Sequence, residues 1–328
     1  MSTLALAVGC GGAPIFIGGR KTDPRAIDAD PLTVLPAGIV LLTYLDLQAA
    51  YRSSIGGDIA TLVQTFVPLG ADSNFSPSRD TTRFYGGLYG MQGIDYCAVI
   101  QGRFDVGSMG RAADARAAAA GATPLVKTRY ADSDIYTIDN SGFALLTQST
   151  LLCGSETGMR RALDRLRQST IERAVPRWMT DLTTSPQANI AIAGDFGAST
   201  LGPPNGYGKA IVGLEDGPAA ATPALEMAAA RFPFLSGLRV LRAQGAFVPS
   251  GMSLVGALTY DTDARAQAGA SALARVGDQN PLINLLMSIG LGATIQNPDV
   301  AQRGRDVAFV EPVDQALLRA MLGYVMRR

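Results

Sequence analysis

From Leu35 onward the chain alternates short apolar runs with amphipathic stretches, and the two periods separate into strands and helices. GIVLLTYLDLQ (38–48) is apolar on both faces and predicts a well-buried strand. QAAYRS and IATLVQTFVPLG follow with helical spacing, as Ile59, Leu62, Val63 and Phe66 recur at i, i+3, i+4 and i+7. RFYGGLYGM and DYCAVIQGRF predict two strands joined by a glycine-containing turn. GSMGRAADARAAAAG predicts an alanine-rich helix that stops at Gly121. PLVKTRY, DIYTID, GFALLTQ and TLLCG predict four short strands, with Asn140-Ser141-Gly142 as a hairpin turn among them. SETGMRRALDRLRQ closes the series as a helix capped by Ser155, with Met159, Ala162, Leu163 and Leu166 on one face.

The series then repeats. SPQANIAIAGDFG parallels LPAGIVLLTYLDL, with Asp195 in the place of Asp46. VLRAQGAFVPSGMSLVGALTYD parallels FYGGLYGMQGIDYCAVIQGRFD and sets Asp261 opposite Asp105. DTDARAQAGASALARVG matches the alanine-rich helix, with Gly277 opposite Gly121 at the same offset of 156 residues. RDVAFVEPVDQALLRAML parallels STLLCGSETGMRRALDRL. The order predicts an α+β protein, antiparallel sheets with packed helices, built by internal duplication of a ferredoxin-like unit. The first unit spans 35–185 and the second 186–328, with a Gly-, Pro- and Ala-rich loop or linker at 198–223. Two lobes with a common sheet or a tight interface are expected.

Composition narrows the chemistry. Hydrophobic residues make up 47% and charged residues 17%, a globular balance. Formal net charge is zero, with no basic block, so nucleic acid is not expected as a partner. The chain contains no histidine, which excludes a Ser-His-Asp triad, a Cys-His pair and an HExxH zinc site. None of the three lysines (Lys21, Lys127, Lys209) has a serine three residues before it, so SxxK chemistry is excluded too. The GxSxG elbow and the GxGxxG and GxxxxGK[ST] loops are also missing. No cofactor and no metal is expected. A mechanism that uses carboxylates alone survives, since glycosidases need only two of them.

The N-terminus supplies an address. Leu4–Val8 is too short to cross a bilayer, which takes about 20 apolar residues. Ala7-Val8-Gly9-Cys10 resembles the end of a bacterial lipoprotein signal peptide, in which the cysteine is lipidated and becomes the first mature residue. On that basis 1–9 is a truncated signal-peptide remnant, Cys10 the lipidation site and 10–34 a flexible tether. The longest apolar stretch, LINLLMSIGLGATI (282–295), contains Asn284 and glycines and predicts a buried helix leading into a strand.

LPAGIVLLTYLDLQAA, TRYADSDIYTID, TLLCGSETGMRRALDRL and WMTDLTTSPQANIAIAGDF together resemble a bacterial family of exported proteins of unknown function. The resemblance covers about residues 35–200 and implies export and an α+β duplication. It implies no activity and no catalytic residue.

Several residue groups invite a function and also have a plain structural explanation. Asp132 and Asp134 could hold a cation, but they lack EF-hand spacing and fit a polar turn. Asp261 and Asp263 fit a helix start. Phe84, Tyr85, Tyr89 and Tyr96 could line a cleft or pack on a sheet face. Trp178 is expected to anchor its helix to the core. Cys97 and Cys153 fall on strands expected to be neighbours, which makes them a candidate disulfide in an oxidising compartment. Two function classes follow. One is a non-enzymatic binding or structural lipoprotein of the periplasm or outer membrane, held by a lipid anchor and offering a surface to a protein or lipid. The alternative is an exported carboxylate-dependent hydrolase, for example on glycans.

Overall fold

The structure, a computed structural model, describes residues 22–90, 95–119, 125–170, 172–186, 188–197, 229–230, 232–279 and 296–326. Cys10, Gly121, the 198–223 linker and the 282–295 apolar stretch lie outside these residues.

One antiparallel sheet of twelve strands runs through both units. The first unit contributes β1 (Ile39–Asp46), β2 (Thr81–Tyr89), β3 (Asp95–Gly102), β4 (Val126–Tyr130), β5 (Ser133–Ile138), β6 (Ser141–Leu145) and β7 (Thr150–Ser155). The second contributes β8 (Ile190–Asp195), β9 (Leu238–Val248), β10 (Gly251–Tyr260), β11 (Asp299–Arg303) and β12 (Asp306–Asp314). The strand order is β11-β12-β10-β9-β8-β1-β2-β3-β7-β6-β5-β4. The units meet at β1 and β8, the strands that open each repeat, with Thr43 paired to Ile192. Outward from that seam the order β1-β2-β3-β7-β6 on one side matches β8-β9-β10-β12-β11 on the other.

Strands end where a cap begins the next helix. Asp46 Oδ1 accepts from Ala49 N at 2.9 Å and starts α2 (Leu47–Arg52), which is followed by α3 (Gly56–Phe66) and the short α4 (Pro77–Asp80); α1 (Pro24–Ala29) precedes β1. Asp105 caps α5 (Val106–Ala118) through Ser108 N at 3.0 Å, and Ser155 caps α6 (Glu156–Arg167) through Gly158 N at 3.1 Å. The helix α7 (Arg177–Thr183) leads into β8. In the second unit Thr262 caps α8 (Asp263–Leu273), α9 (Val276–Gln279) follows, and Asp314 accepts from Leu317 N at 2.7 Å to start α10 (Gln315–Met326). Each such cap stabilises its helix by about 1 kcal/mol.

Alternation divides the sheet residues between two faces. Face A carries Leu45, Phe84, Ile100, Leu151, Met252 and Val313 and is covered by α2, α3, α5 and α10. Further along the same face α8 covers Leu258 and Val307. Face B carries Leu42, Tyr44, Tyr85, Val99 and Leu152 under α1, a 3₁₀ turn at Pro31–Thr33, α6 and α7. A contact between units closes face A: Arg319 on α10 reaches Asp58 Oδ2 on α3 at 3.2 Å and the Ser54 carbonyl at 2.9 Å.

The α+β class with antiparallel sheet and packed helices is as expected, and three details differ. First, β3 and β7, which lead into the two helices, are neighbours as in a ferredoxin-like unit, but the strand after α6 pairs with β1 rather than with β3. Second, the hairpin turn is Asp139-Asn140, because Ile138 pairs with Ser141; Asp139 accepts the positive φ of 54° that the turn requires. Third, the closing helices leave the sheet on opposite faces, α6 on face B and α10 on face A. β7 has six residues and β12 has nine. An odd difference in length reverses the face at which a strand ends, since side chains alternate with a period of two.

Candidate functional site

The most elaborate polar construction lies on face B, where residues 22–38 cross the sheet as a strap. Asp28 accepts from the hydroxyls of Thr147 and Thr150, the latter at 2.7 Å, and its carbonyl accepts from Gln101 Nε2 at 3.1 Å. Three arginines hold the rest. Arg161 donates to the Ala37 carbonyl at 2.7 Å, Arg165 to the Thr33 carbonyl at 3.2 Å, and Arg173 pairs with Asp30 at 2.6 Å. Thr22 donates to the Leu166 carbonyl at 2.6 Å. Beneath the strap the Arg161 guanidinium stands 4.8 Å from the centre of the buried Tyr89 ring. Burial pushes the Tyr89 hydroxyl far above its ordinary range.

Where the strap begins, a shallow cleft of about 110 Å³ is lined by Thr22, Ile27, Asp132, Ser133, Leu166 and Arg167 among others. It is small beside the several hundred Å³ of an ordinary ligand pocket.

The residues singled out from the sequence are dispersed. Asp132 occupies the two-residue turn between β4 and β5, with φ of 62°, a conformation that Asp tolerates. Asp134 is paired with Arg129 at 2.8 Å and Lys127 at 3.1 Å, and the Arg129 hydrogen bond leads in holding its carboxyl below the usual range. Asp261 pairs with Arg265 at 2.5 Å and Arg239 at 3.7 Å, while the cap is Thr262. Among the described residues no group of three metal-ligating side chains converges. The four aromatics do not form one cleft: Tyr85 and Tyr89 pack in the face B core, while Phe84 and Tyr96 flank Phe66 on face A at 6.3 and 6.1 Å. Trp178 packs against the face B core, with Arg242 5.9 Å from its ring centre.

The candidate disulfide meets a register of one. β3 and β7 are adjacent, yet Cys97 pairs with Gly154 and Cys153 with Ala98. Cys97 therefore lies in the face B core and Cys153 in the face A core, and both are free thiols. Burial pushes Cys97 up to about 12 and raises Cys153 as well.

Sequence reasoning missed Glu311. On β12 it points to face A with Phe309 and Val313 on either side, directly opposite Leu254. Burial pushes its carboxyl up to about 7. The only available signal is the strand alternation of VAFVEPVD, which sets Glu311 in phase with apolar Val307, Phe309 and Val313.

No family model matches the chain, and no curated protein matches it. Among solved structures it is similar to TP0453. Crystal form I of TP0453 aligns with a TM-score of 0.49 and 12% identity, over 90% of this chain and 97% of that one. Crystal form III gives 0.48 and 13%, over 91% and 98%. At this identity no residue role carries over.

Proposed function

We propose that the protein is a cell-envelope lipoprotein acting as a binding or structural module, held to a membrane through lipid on Cys10. The strap is the observation that supports this most. A chain anchored at Cys10 would transmit its tether to Thr22, and from there to Ala37 the backbone is bonded to the sheet through Asp28, Asp30 and three arginines. Cys97 and Cys153 are buried, and Asp114, Asp134 and Asp261 sit in ion pairs. No helix among the described residues is long and apolar enough to cross a membrane. Protein or lipid ligands suit such a module.

A carboxylate-dependent hydrolase acting on glycans is the second reading, favoured by Glu311, whose pKa near 7 suits a general acid. It would need a second carboxylate about 5–9 Å away. On face A beside Glu311, β10 presents Met252, Leu254 and Gly256, and β9 presents Gly245 and Phe247. None is acidic.

The deciding experiment is the intact mass of the mature protein recovered from the cells that make it. A chain that starts at Cys10 and carries lipid there supports the anchor. Retention of residues 1–9, or an unmodified Cys10, overturns it.

A further inference from the structure

We propose that β11, at one end of the sheet, is a self-association edge: two copies of this chain pair their β11 strands antiparallel, and the sheet continues from one copy into the other. Among the described residues β11 is the last strand on its side and pairs only with β12. Asp299, Ala301, Gln302 and Arg303 on it are exposed. A free edge presents unpaired N–H and C=O groups that template a further strand.

The register follows from which amides are free. Tyr260 N donates to the Arg305 carbonyl at 2.9 Å. Bonding direction alternates along a strand, so Val307 and Phe309 bond toward β10, while Asp306, Ala308 and Val310 bond toward β11. Their partners Arg303, Ala301 and Asp299 thus spend their amides on β12, and Val300 and Gln302 turn theirs outward. Setting Val300 of one copy opposite Gln302 of the other makes two such pairs, each exchanging two backbone hydrogen bonds. Pro298 has no N–H and ends the pairing on one side, and the turn at Gly304 ends it on the other.

Charge selects the same register. Asp299 falls opposite Arg303 of the second copy, twice over, and Ala301 falls opposite itself at the two-fold axis. Alanine suits that place, where the Cα atoms of a non-hydrogen-bonded pair approach to about 4.5 Å. Within one copy, Asp306 lies across the turn from Arg303 but accepts from the Thr259 hydroxyl at 2.6 Å, and no ion pair engages Asp299 or Arg303 among the described residues. The other end of the sheet lacks this fit. Tyr130 and Ser133 flank the two-residue turn after β4, so Lys127 and Arg129 turn their amides outward. Every antiparallel pairing of two β4 strands through those amides sets cation against cation. Pairing at β11 is isologous and closes a dimer. Five residues per copy cover less than the roughly 1,000 Å² of a stable interface, which indicates a weak dimer with a dissociation constant of about 100 µM.

The test uses the full chain with Cys10→Ser, so that it is independent of the lipid anchor. Sedimentation equilibrium should give a mass near 34.2 kDa at roughly 5 µM protein and well above it at roughly 500 µM. Asp299→Arg, at an exposed position, should keep the circular dichroism spectrum and hold the chain monomeric at the higher concentration. Adding Arg303→Asp swaps the signs in this register and should restore the dimer. In the same background Ala301→Cys should form an intermolecular disulfide under mild oxidation. A wild-type chain that stays monomeric at the higher concentration overturns the proposal. So does a dimer that Asp299→Arg leaves intact, or one that the double variant fails to restore.

Discussion

Cys97 and Cys153 occupy neighbouring strands one register step apart, and that single step puts their sulfurs on opposite faces of the sheet. The strand pairing that would favour a bridge is present and the facing that would complete it is not. In the Cys10→Ser chain, unfolded without reductant, both thiols should react with a maleimide. In the folded chain neither should, since both are buried and their raised pKa values suppress the thiolate. An unreactive pair in the unfolded, unreduced chain would show a bridge and a different register.

Glu311 should make stability depend on pH in the direction opposite to most carboxylates. Its folded pKa of about 7 lies above the ordinary 4.5, so the folded state keeps the proton when the unfolded chain has lost it. Its contribution is complete below about pH 4.5 and is lost as pH rises to about 7. Glu311→Gln should flatten urea midpoints over that window and stabilise the protein above pH 7 by about 1–2 kcal/mol, after allowance for its half-exposed position. Equal pH profiles for the two proteins would refute this.

The strap predicts a local unfolding. Asp28→Ala removes the acceptor of the Thr147 and Thr150 hydroxyls, and Thr150 is fully buried. The cost should be about 1–3 kcal/mol. Because the lost bonds join only the strap to the sheet, limited proteolysis between Thr22 and Ala37 should accelerate before the sheet unfolds. Uniform loss of protection across the chain would count against a separately held strap.

Gly154 is required by close backbone approach. Its φ is +154°, and a Cβ there would stand 2.5 Å from the Tyr96 carbonyl oxygen and 3.0 Å from Cys97 Cα. Gly154→Ala should therefore cost at least about 2 kcal/mol and lower the Tm by about 3 °C. Gly57→Ala is the control, since nothing lies within 4 Å of its added methyl. Equal melting temperatures for the two variants would disprove the close approach.

Local signals along the chain determined the elements and their caps. Asp46 and Ser155 end strands, Asp105 follows one, and each starts a helix through an oxygen that reaches an amide three residues on, a relationship contained within four residues. The absence of histidine excludes a Ser-His-Asp triad, a Cys-His pair and an HExxH site from composition alone. Only the tertiary structure decided the faces. Cys97 and Cys153 are separated, Phe84 parts from Tyr85, and α10 departs from the side that α6 takes, all because side chains alternate and register between distant strands is set by pairing. The exposure of Val255 and Val310 and the half-buried Glu311 follow from that helix placement and that register. Neither is encoded within any short stretch, since burial depends on which helix covers which side of the sheet.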